Sequence, residues 1–132
     1  MRGLIPLLLV GALACHSSSS PTDLSSQPHG RLAGTVKIGP NCPVEQQGNP
    51  CPTPPSAYAA RKVLIYDEQR TRVLFTVDID SQGLYSIDLV PGRYVIDLKR
   101  NGIDRSSDVP KVIDVHANTV TNIDISIDTG IR

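Results

Sequence analysis

Two of the three cysteines lie close together in a proline-rich segment, GPNCPVEQQGNPCPTPP, which spans residues 39–55. Cys42 and Cys51 could bind a metal ion, exchange electrons or close a disulfide. Zinc needs four ligands, and the available histidines lack zinc-finger spacing: His16, His29 and His116. A redox pair normally has two intervening residues near a helix N-terminus, whereas eight residues separate these cysteines. The pattern therefore predicts no metal and favours a disulfide in an oxidising compartment.

A second candidate lies in the segment IDISIDTGIR, where Asp128-Thr129-Gly130 matches the active-site triplet of aspartic proteases. These enzymes use two aspartates about 3 Å apart that share one proton, each on a loop followed by more of the fold. Here only four residues follow Asp128, and Ile131 stands where a small residue normally follows the glycine. We therefore expect a strand that ends in a glycine turn, and no proteolytic site.

Two further patterns are weak candidates for metal binding or catalysis. The segment DIDSQG begins at Asp78 like a calcium loop, but Gln82 holds its fifth position and Leu89 stands where a bidentate glutamate belongs. A hairpin turn with Gly83 at positive φ explains it better. His116 is the only histidine in the predicted folded domain, so no nucleophile with an orienting base can be assembled. The sequence predicts no enzyme and no cofactor.

The N-terminal segment MRGLIPLLLVGALAC places Arg2 before an apolar run from Leu4 to Ala14. The run is about 11 residues long, whereas about 20 helical residues are needed to span a bilayer. It therefore predicts a signal peptide over residues 1–14 and not a transmembrane helix. Export would place the rest of the chain in an oxidising compartment.

The end of this segment, ALAC, resembles the lipobox of bacterial lipoproteins, in which the cysteine is lipidated and becomes the mature N-terminus. The resemblance implies that acyl chains on Cys15 anchor the protein to a membrane, which is the outer membrane if the cell is Gram-negative. Each buried methylene contributes roughly 0.8 kcal/mol to such anchoring. Lipidation would leave Cys42 and Cys51 as an even pair, and we expect a disulfide that stabilises the domain by about 2.5–3 kcal/mol.

The organisation of the remaining chain follows from composition and hydrophobic period. The segment HSSSSPTDLSSQPHG holds one large apolar residue, Leu24, so residues 15–30 are predicted to form a flexible tether. Over residues 31–132 the hydrophobic period is two and β-branched residues dominate, which predicts one all-β domain. Seven strands in an antiparallel β-sandwich are expected, over residues 31–38, 61–67, 72–79, 84–89, 93–99, 111–115 and 119–128.

The turns between the central strands carry a second resemblance. The segment VDIDSQGLYSIDLVPGRYVIDL is similar to the central signature of carboxypeptidase regulatory-like domains, an acidic turn with glycine, an aromatic strand and then Leu-x-Pro-Gly-x-Tyr-x-Val. The matching residues are Asp80, Gly83, Tyr85, Leu89, Pro91, Gly92, Tyr94 and Ile96. The resemblance implies a transthyretin-like or immunoglobulin-like sandwich, and such domains are not themselves catalytic.

Composition limits the partners. The 132 residues include 13 basic and 13 acidic residues without a basic block, so no nucleic-acid surface is predicted. We interpret the protein as a non-catalytic, lipid-anchored cell-envelope module, either structural or binding an envelope protein. The alternative is a carbohydrate-binding or enzyme-accessory domain, for which Tyr58, beside the proline cluster, is the candidate binding residue. The other large aromatics are expected mostly in the core: Tyr66, Phe75, Tyr85 and Tyr94.

Overall fold

The computed structural model describes residues 27–44 and 46–132, together with Gly3 and Gly11. The lipidation site Cys15, nearly all of the signal peptide and most of the tether lie outside the described residues, so these assignments stay predictions. In the described part of the chain no helix is long and apolar enough to cross a bilayer.

The described chain forms two β-sheets that pack face to face, with one short helix. The elements are β1 (Gly30–Gly39), α1 (Pro55–Ala59), β2 (Lys62–Tyr66), β3 (Val73–Asp78), β4 (Leu84–Leu89), β5 (Gly92–Lys99), β6 (Lys111–Val115), β7 (Val120–Asn122) and β8 (Ile125–Asp128). In the first sheet β4 pairs with one side of β1, and β7 and β8 pair with the other side. The second sheet has the order β3, β2, β5, β6. The prediction of an all-β sandwich is confirmed.

The structure corrects the prediction of seven antiparallel strands in two respects. The expected last strand over residues 119–128 is divided into β7 and β8, which makes eight strands. Both of these strands run parallel to β1, with Leu32 opposite Thr121 and Ile38 opposite Ile127. The first sheet is therefore mixed, while the second is antiparallel throughout.

The last strand divides at Ile123 and Asp124, where side chains replace part of the regular ladder. The Tyr85 hydroxyl donates a hydrogen bond to the Ile123 carbonyl at 2.5 Å, and the Asp124 carboxylate accepts one from the Thr35 N–H at 2.9 Å. Gly34 permits this approach, because a Cβ at that position would lie 1.9 Å from the Ile123 oxygen. Apolar and polar residues keep alternating across the break, so the side-chain pattern alone does not reveal it.

The core lies between the two sheets and is built mainly of aliphatic side chains. Ile125 and Ile127 of β8 are 0% and 4% exposed, as their predicted inward orientation requires, while Ser126 between them is exposed. The largest fully buried side chains are Leu32, Ile65, Leu89, Ile96, Ile125, Val36, Val63 and Val115. Both sheets contribute to this set, as expected for an aligned sandwich.

The strand directions divide the connections between two ends of the sandwich. The chain enters β1 at Gly30, and the connections at this entry end are short turns over residues 67–72, 90–91 and 116–119. β1 then runs for 10 residues, which is about 33 Å at the rise of a β-strand. The loop end, at the far side, consists of residues 40–61, 79–83, 100–110 and 129–132. The longer connections therefore lie at the loop end.

Candidate functional site

The predicted disulfide between Cys42 and Cys51 is confirmed. It lies in the loop-end connection between β1 and β2, and the two Cα atoms are 6.2 Å apart. Side-chain hydrogen bonds hold the same segment: Asn41 donates to the Ile38 carbonyl at 2.9 Å and to the Thr53 hydroxyl at 2.9 Å. The Thr53 hydroxyl donates in turn to the Ile38 carbonyl at 3.2 Å. Both ends of the loop are therefore fixed to β1 by polar contacts as well as by the disulfide.

Tyr58 is not the freely exposed aromatic that its position after the prolines suggested. It lies in α1, which begins at Pro55, and its half-buried ring packs on the hydrophobic core. The ring covers the turn between β3 and β4, since a Cβ on Gly83 would lie 3.0 Å from it. Phe75, expected in the core, is instead 44% exposed on an edge strand. The structure reverses the accessibilities expected for these two aromatics.

A buried ion pair between Arg61 and Asp104 underlies the loop end. The guanidinium of Arg61 donates to both carboxylate oxygens of Asp104, at 2.6 and 2.8 Å, and to the Ala57 carbonyl at 2.7 Å. Asp104 also accepts a hydrogen bond from the Asn101 N–H at 3.0 Å. Burial opposes ionisation of Asp104, but the hydrogen bonds from Arg61 and Asn101 outweigh it and hold its pKa below the usual value. The pair connects α1 to the 100–110 segment.

A shallow cleft of about 330 Å³ lies beside this ion pair. Its lining includes Asn41, Ala57, Ile103 and Ile131. Ile103 is 70% exposed and Ile131 is 38% exposed, although both are large aliphatic residues. Since the polar groups of Arg61 are bonded within the protein, the cleft offers a partner mainly an apolar rim.

A second cleft at the loop end has a volume of about 500 Å³. It is lined by Gly39, Arg105, Ser106, Ser107, Ser126, Ile127 and Asp128. Arg105 and Asp128 exchange two backbone hydrogen bonds, at 2.9 and 2.8 Å, which fix the wall of the cleft. Within the described residues the Arg105 guanidinium donates no hydrogen bond, but its charge helps to lower the pKa of Asp128, which lines the same cleft. The cleft can therefore offer one cation and several hydroxyl groups to a hydrogen-bonding ligand.

Asp128 does not have the surroundings of a catalytic aspartate in a protease. Its carboxylate accepts hydrogen bonds from the Arg132 guanidinium at 3.0 Å and from the Gly130 N–H at 2.8 Å. These hydrogen bonds, chiefly the one from Arg132, lower the pKa of Asp128 to about 2. A carboxylate held in its ionised form is poorly suited to share a proton with a second aspartate. The geometry agrees with the expected glycine turn, in which Gly130 has a φ of +75°.

The remaining sequence motifs form turns. The Asp80 carboxylate accepts hydrogen bonds from the N–H groups of Gln82 and Leu84, each at 2.9 Å, which closes the hairpin expected in place of a calcium loop. His116 lies just beyond one end of β6, and the serines of the segment at residues 105–108 precede the other end, so β6 lies between them along the chain. Among the residues that the structure describes, no three His, Cys, Asp or Glu side chains are placed to hold a metal ion.

The sequence did not reveal the charged pair that organises the loop end. Arg61 and Asp104 are 43 positions apart, at a predicted strand start and in a predicted loop. The one local signal is that Arg61 lies two positions before Val63, on the side of the strand that faces the core. Charged residues are almost never fully buried without a partner, so burial of one implies the other.

A scan against protein-family models found no match, and a search of curated proteins found none either. Solved structures do match. The minor pilin GBS52 of the Gram-positive pathogen Streptococcus agalactiae is 13% identical and superposes with a TM-score of 0.52, over 77% of this chain and 45% of the pilin. A DUF3823 family protein from Parabacteroides merdae is 17% identical, over 76% of this chain and 46% of its own, with a TM-score of 0.46.

A second DUF3823 family protein, from Bacteroides ovatus, is 21% identical over 74% of this chain and 44% of its own, also with a TM-score of 0.46. The chain thus spans less than half the length of each of these structures. At these identities the similarity to the pilin is one of fold alone, and it agrees with the β-sandwich described above.

Proposed function

We propose that the protein is a non-catalytic, lipid-anchored module of the cell envelope that presents its loop end to a partner. The observation that carries this proposal is the separation of the two ends. The chain enters the sandwich at Gly30, and the disulfide loop begins where β1 ends, about 33 Å away. An anchor at Cys15 would act through the tether of residues 15–30 on the entry end, which leaves the loop end as the end farther from the point of attachment.

The geometry of the candidate catalytic residues supports a role without chemistry. Asp128 is paired with Arg132, and His116 and Ser107 lie beyond opposite ends of β6. The fold that the chain shares with a minor pilin also supports a structural or surface role. Binding residues are often carried on loops held by a rigid scaffold, which is the arrangement at the loop end.

The carboxypeptidase regulatory-like identity is part of this proposal. The residues of its signature lie in turns and in a strand here: the acidic turn closed by Asp80 joins β3 to β4, and Pro91 lies in the turn between β4 and β5. The aromatic and aliphatic signature residues Tyr85 and Leu89 are 4% and 1% exposed. The signature thus coincides with two turns and a core strand, which supports assignment to that group of non-catalytic sandwiches.

An envelope protein is the partner that the loop end suits best. The exposed aliphatic side chains of Ile103 and Ile131 border the first cleft, and Arg105 lines the second. Apolar groups surrounded by polar ones are typical of protein interfaces. Carbohydrate is the second candidate, because the Arg105 cleft is rich in serine hydroxyls. Stacking of a sugar on Tyr58 is disfavoured, since its ring lies against the Gly83 turn.

Radiolabelled fatty acid tests the anchor. We expect label in the wild-type protein and none in Cys15→Ala, while the double variant Cys42→Ala/Cys51→Ala, which keeps Cys15, retains it. Label that survives Cys15→Ala would refute lipidation at this residue. Fractionation of the same cells would show whether loss of label also releases the protein from the membrane.

A pull-down with envelope proteins, run beside a glycan array, tests the partner. We expect Ile103→Asp and Arg105→Glu to reduce capture of an envelope protein. Val112→Asp is the matched control, since Val112 is 57% exposed but lies on β6, away from both clefts. Binding to glycans that is lost with Arg105→Glu and kept with Ile103→Asp would replace the protein partner by a carbohydrate.

A further inference from the structure

The two sheets differ in width, and this leaves part of the second sheet uncovered. β7 and β8 follow one another along the same side of β1, so the first sheet is three strands wide and faces a second sheet of four. The inward residues of one outer strand, β6, are covered, with Ile113 at 4% and Val115 at 2% exposure. The outer strand at the other side, β3, is not covered to the same degree.

Phe75 marks the uncovered place. It lies opposite Ile65 in the antiparallel pair of β3 and β2, and opposed residues share one face of a sheet. Ile65 is 0% exposed in the core, so Phe75 also faces inward, yet it is 44% exposed. Within the described residues, no strand of the first sheet beyond β4 covers this ring.

The edge of β4 beside this place has free backbone groups. The N–H groups of Arg31 and Thr35 in β1 donate away from β4, to Thr119 and Asp124, whereas that of Val36 donates towards it, to Gly83. The even-numbered residues of β1 therefore bond to β4. Gly30, Leu32 and Gly34 lie opposite Leu89, Ile87 and Tyr85. Because the direction alternates, the N–H and C=O groups of Ser86 and Asp88 point to the free edge.

The other edges of the sandwich carry features that discourage pairing, whereas β4 carries one charge, Asp88, which is paired with Arg31 of β1. The edge of β8 is occupied by the backbone of Arg105 and the carboxylate of Asp108. The ladder of β3 is interrupted near its start, β6 follows Pro110, and β7 has three residues. β4 has six regular pairs with β1 and no proline or basic residue. Native proteins normally block such an edge.

We propose that the free edge of β4 binds an extended segment of a partner protein as an added strand. The segment would hydrogen-bond to the backbone of Ser86 and Asp88 and place apolar side chains, at every second position, on Phe75. This is the recognition mode in which the main chain gives affinity and alternate side chains give specificity. It is independent of the loop end, but it rests on the proposed function in one respect, the removal of residues 1–14.

Two other occupants fit less well. Once the proposed signal peptide is removed, the chain's own residues 16–26 contain one large apolar residue and a proline, so they cannot supply alternating apolar side chains. A second copy that paired through its own β4 would bring its wider four-stranded sheet towards the same place, because that sheet extends beyond β4 in each copy. A single strand from a partner avoids this conflict.

The probe for the test is a synthetic peptide with the sequence of residues 119–128, TVTNIDISID, which alternates apolar and polar positions and carries two charges in its last five residues. Amide exchange is measured on the full chain with and without the peptide. We expect the amides of Ser86 and Asp88 to exchange at least tenfold more slowly with peptide bound. A peptide of the same composition in scrambled order is expected to give no protection.

Variants locate the contact. Ser86→Pro removes an N–H that does not bond to β1, and we expect about a tenfold loss of peptide affinity. Ser86→Ala keeps the N–H and should bind as the wild type does. Phe75→Ser should weaken binding by about tenfold through lost apolar contact. Thermal unfolding of each variant shows that the sandwich is retained.

Four results would overturn the proposal. The first is that Ser86→Pro binds the peptide as tightly as the wild type, and the second is that the peptide slows amide exchange on another edge strand. The third is that no binding occurs at about 1 mM peptide. The fourth is that the Ser86 amide already exchanges slowly without peptide. In the last case sedimentation identifies the occupant. A dimer that Ser86→Pro dissociates would indicate a second copy, and a monomer that loses protection when residues 16–26 are deleted would indicate the chain's own segment.

Discussion

Arg61 and Asp104 form a two-bonded ion pair whose side chains are 7% and 2% exposed. The pair fixes α1, which follows the disulfide loop, to the segment that carries Ile103 and Arg105. One buried contact therefore holds together two parts of the first cleft's lining, α1 with Ala57 and the segment with Ile103. Because each group is satisfied by the other, neither can be removed without leaving a charge or a donor buried and unpaired.

We expect Asp104→Asn to lower the free energy of unfolding by about 3 kcal/mol, because it leaves the Arg61 guanidinium buried without an opposite charge. Urea denaturation monitored by circular dichroism measures this loss. The double variant Arg61→Leu/Asp104→Leu should lose less, since it removes both charges together.

The matched control is Asp88→Asn, which breaks the exposed ion pair of Arg31 and Asp88. The two atoms of that pair are 2.8 Å apart, but each side chain is 57% exposed. Exposed pairs contribute little because water already solvates both charges. Equal denaturation midpoints for Asp88→Asn and Asp104→Asn would show that burial of the Arg61 pair has no effect on stability.

Reduction of the Cys42–Cys51 disulfide should weaken the fold without abolishing it. Closing a loop of this length contributes about 2.5–3 kcal/mol in the chain-entropy model, and the hydrogen bonds of Asn41 and Thr53 still hold the loop to β1. Urea denaturation with and without reductant checks this, and intact mass should show the oxidised protein two protons lighter. Loss of the cooperative transition on reduction would contradict the expectation.

Gly34→Ala should destabilise the protein by about 2 kcal/mol or more, because the new methyl group would overlap the Ile123 carbonyl oxygen, 1.9 Å away. Gly39→Ala in the same strand is the matched control, since no heavy atom lies within 4 Å of a Cβ there. Thermal unfolding of both variants measures the difference. A Gly34→Ala protein as stable as Gly39→Ala would show that the space between Gly34 and the Ile123 carbonyl can hold a methyl group.

Stability should fall in acid over a defined range. Folding lowers the pKa of Asp104 and lowers that of Asp128 to about 2. The folded state therefore binds fewer protons than the unfolded state, whose aspartates titrate near pH 4. Their contribution is complete above about pH 5 and is lost as the pH falls through about 4 towards about 2. Urea denaturation across this range measures the slope.

Asp128→Asn isolates one carboxylate in that measurement. The amide oxygen can still accept the hydrogen bond from Gly130, but the group no longer titrates or pairs with Arg132. The variant should lose less stability between about pH 4 and pH 2 than the wild type loses. Parallel curves for the two proteins would mean that Asp128 has the same pKa in the folded and unfolded states.

Alternation along the chain predicted which side chains enter the core, but not which strands are neighbours. Ile125 and Ile127 face inward as expected, because side-chain direction follows from a period of two. Their parallel pairing with β1 depends on contacts about 89 positions apart, such as that between Asp124 and Thr35. The break at Ile123 depends on the Tyr85 hydroxyl and the absence of a Cβ at Gly34, which no local pattern expresses.

At the candidate site, the disulfide could be predicted because the expected export and lipidation of Cys15 left one pairing of the cysteines. The accessibilities of Tyr58 and Phe75 could not be, because each depends on what lies across the sandwich. The Tyr58 ring is half-buried because it packs against the Gly83 turn. An exposed inward-facing ring requires that the opposite sheet be one strand narrower.

The central position of β1 has a mechanical consequence. A pull applied between Gly30 and the disulfide loop acts along the axis of β1, while its hydrogen bonds to β4, β7 and β8 run across that axis. The bonds on both sides are then loaded in shear at the same time, and none can open singly from an end. A domain attached at its entry end and bound at its loop end would therefore resist extension, because β1 is hydrogen-bonded along both sides.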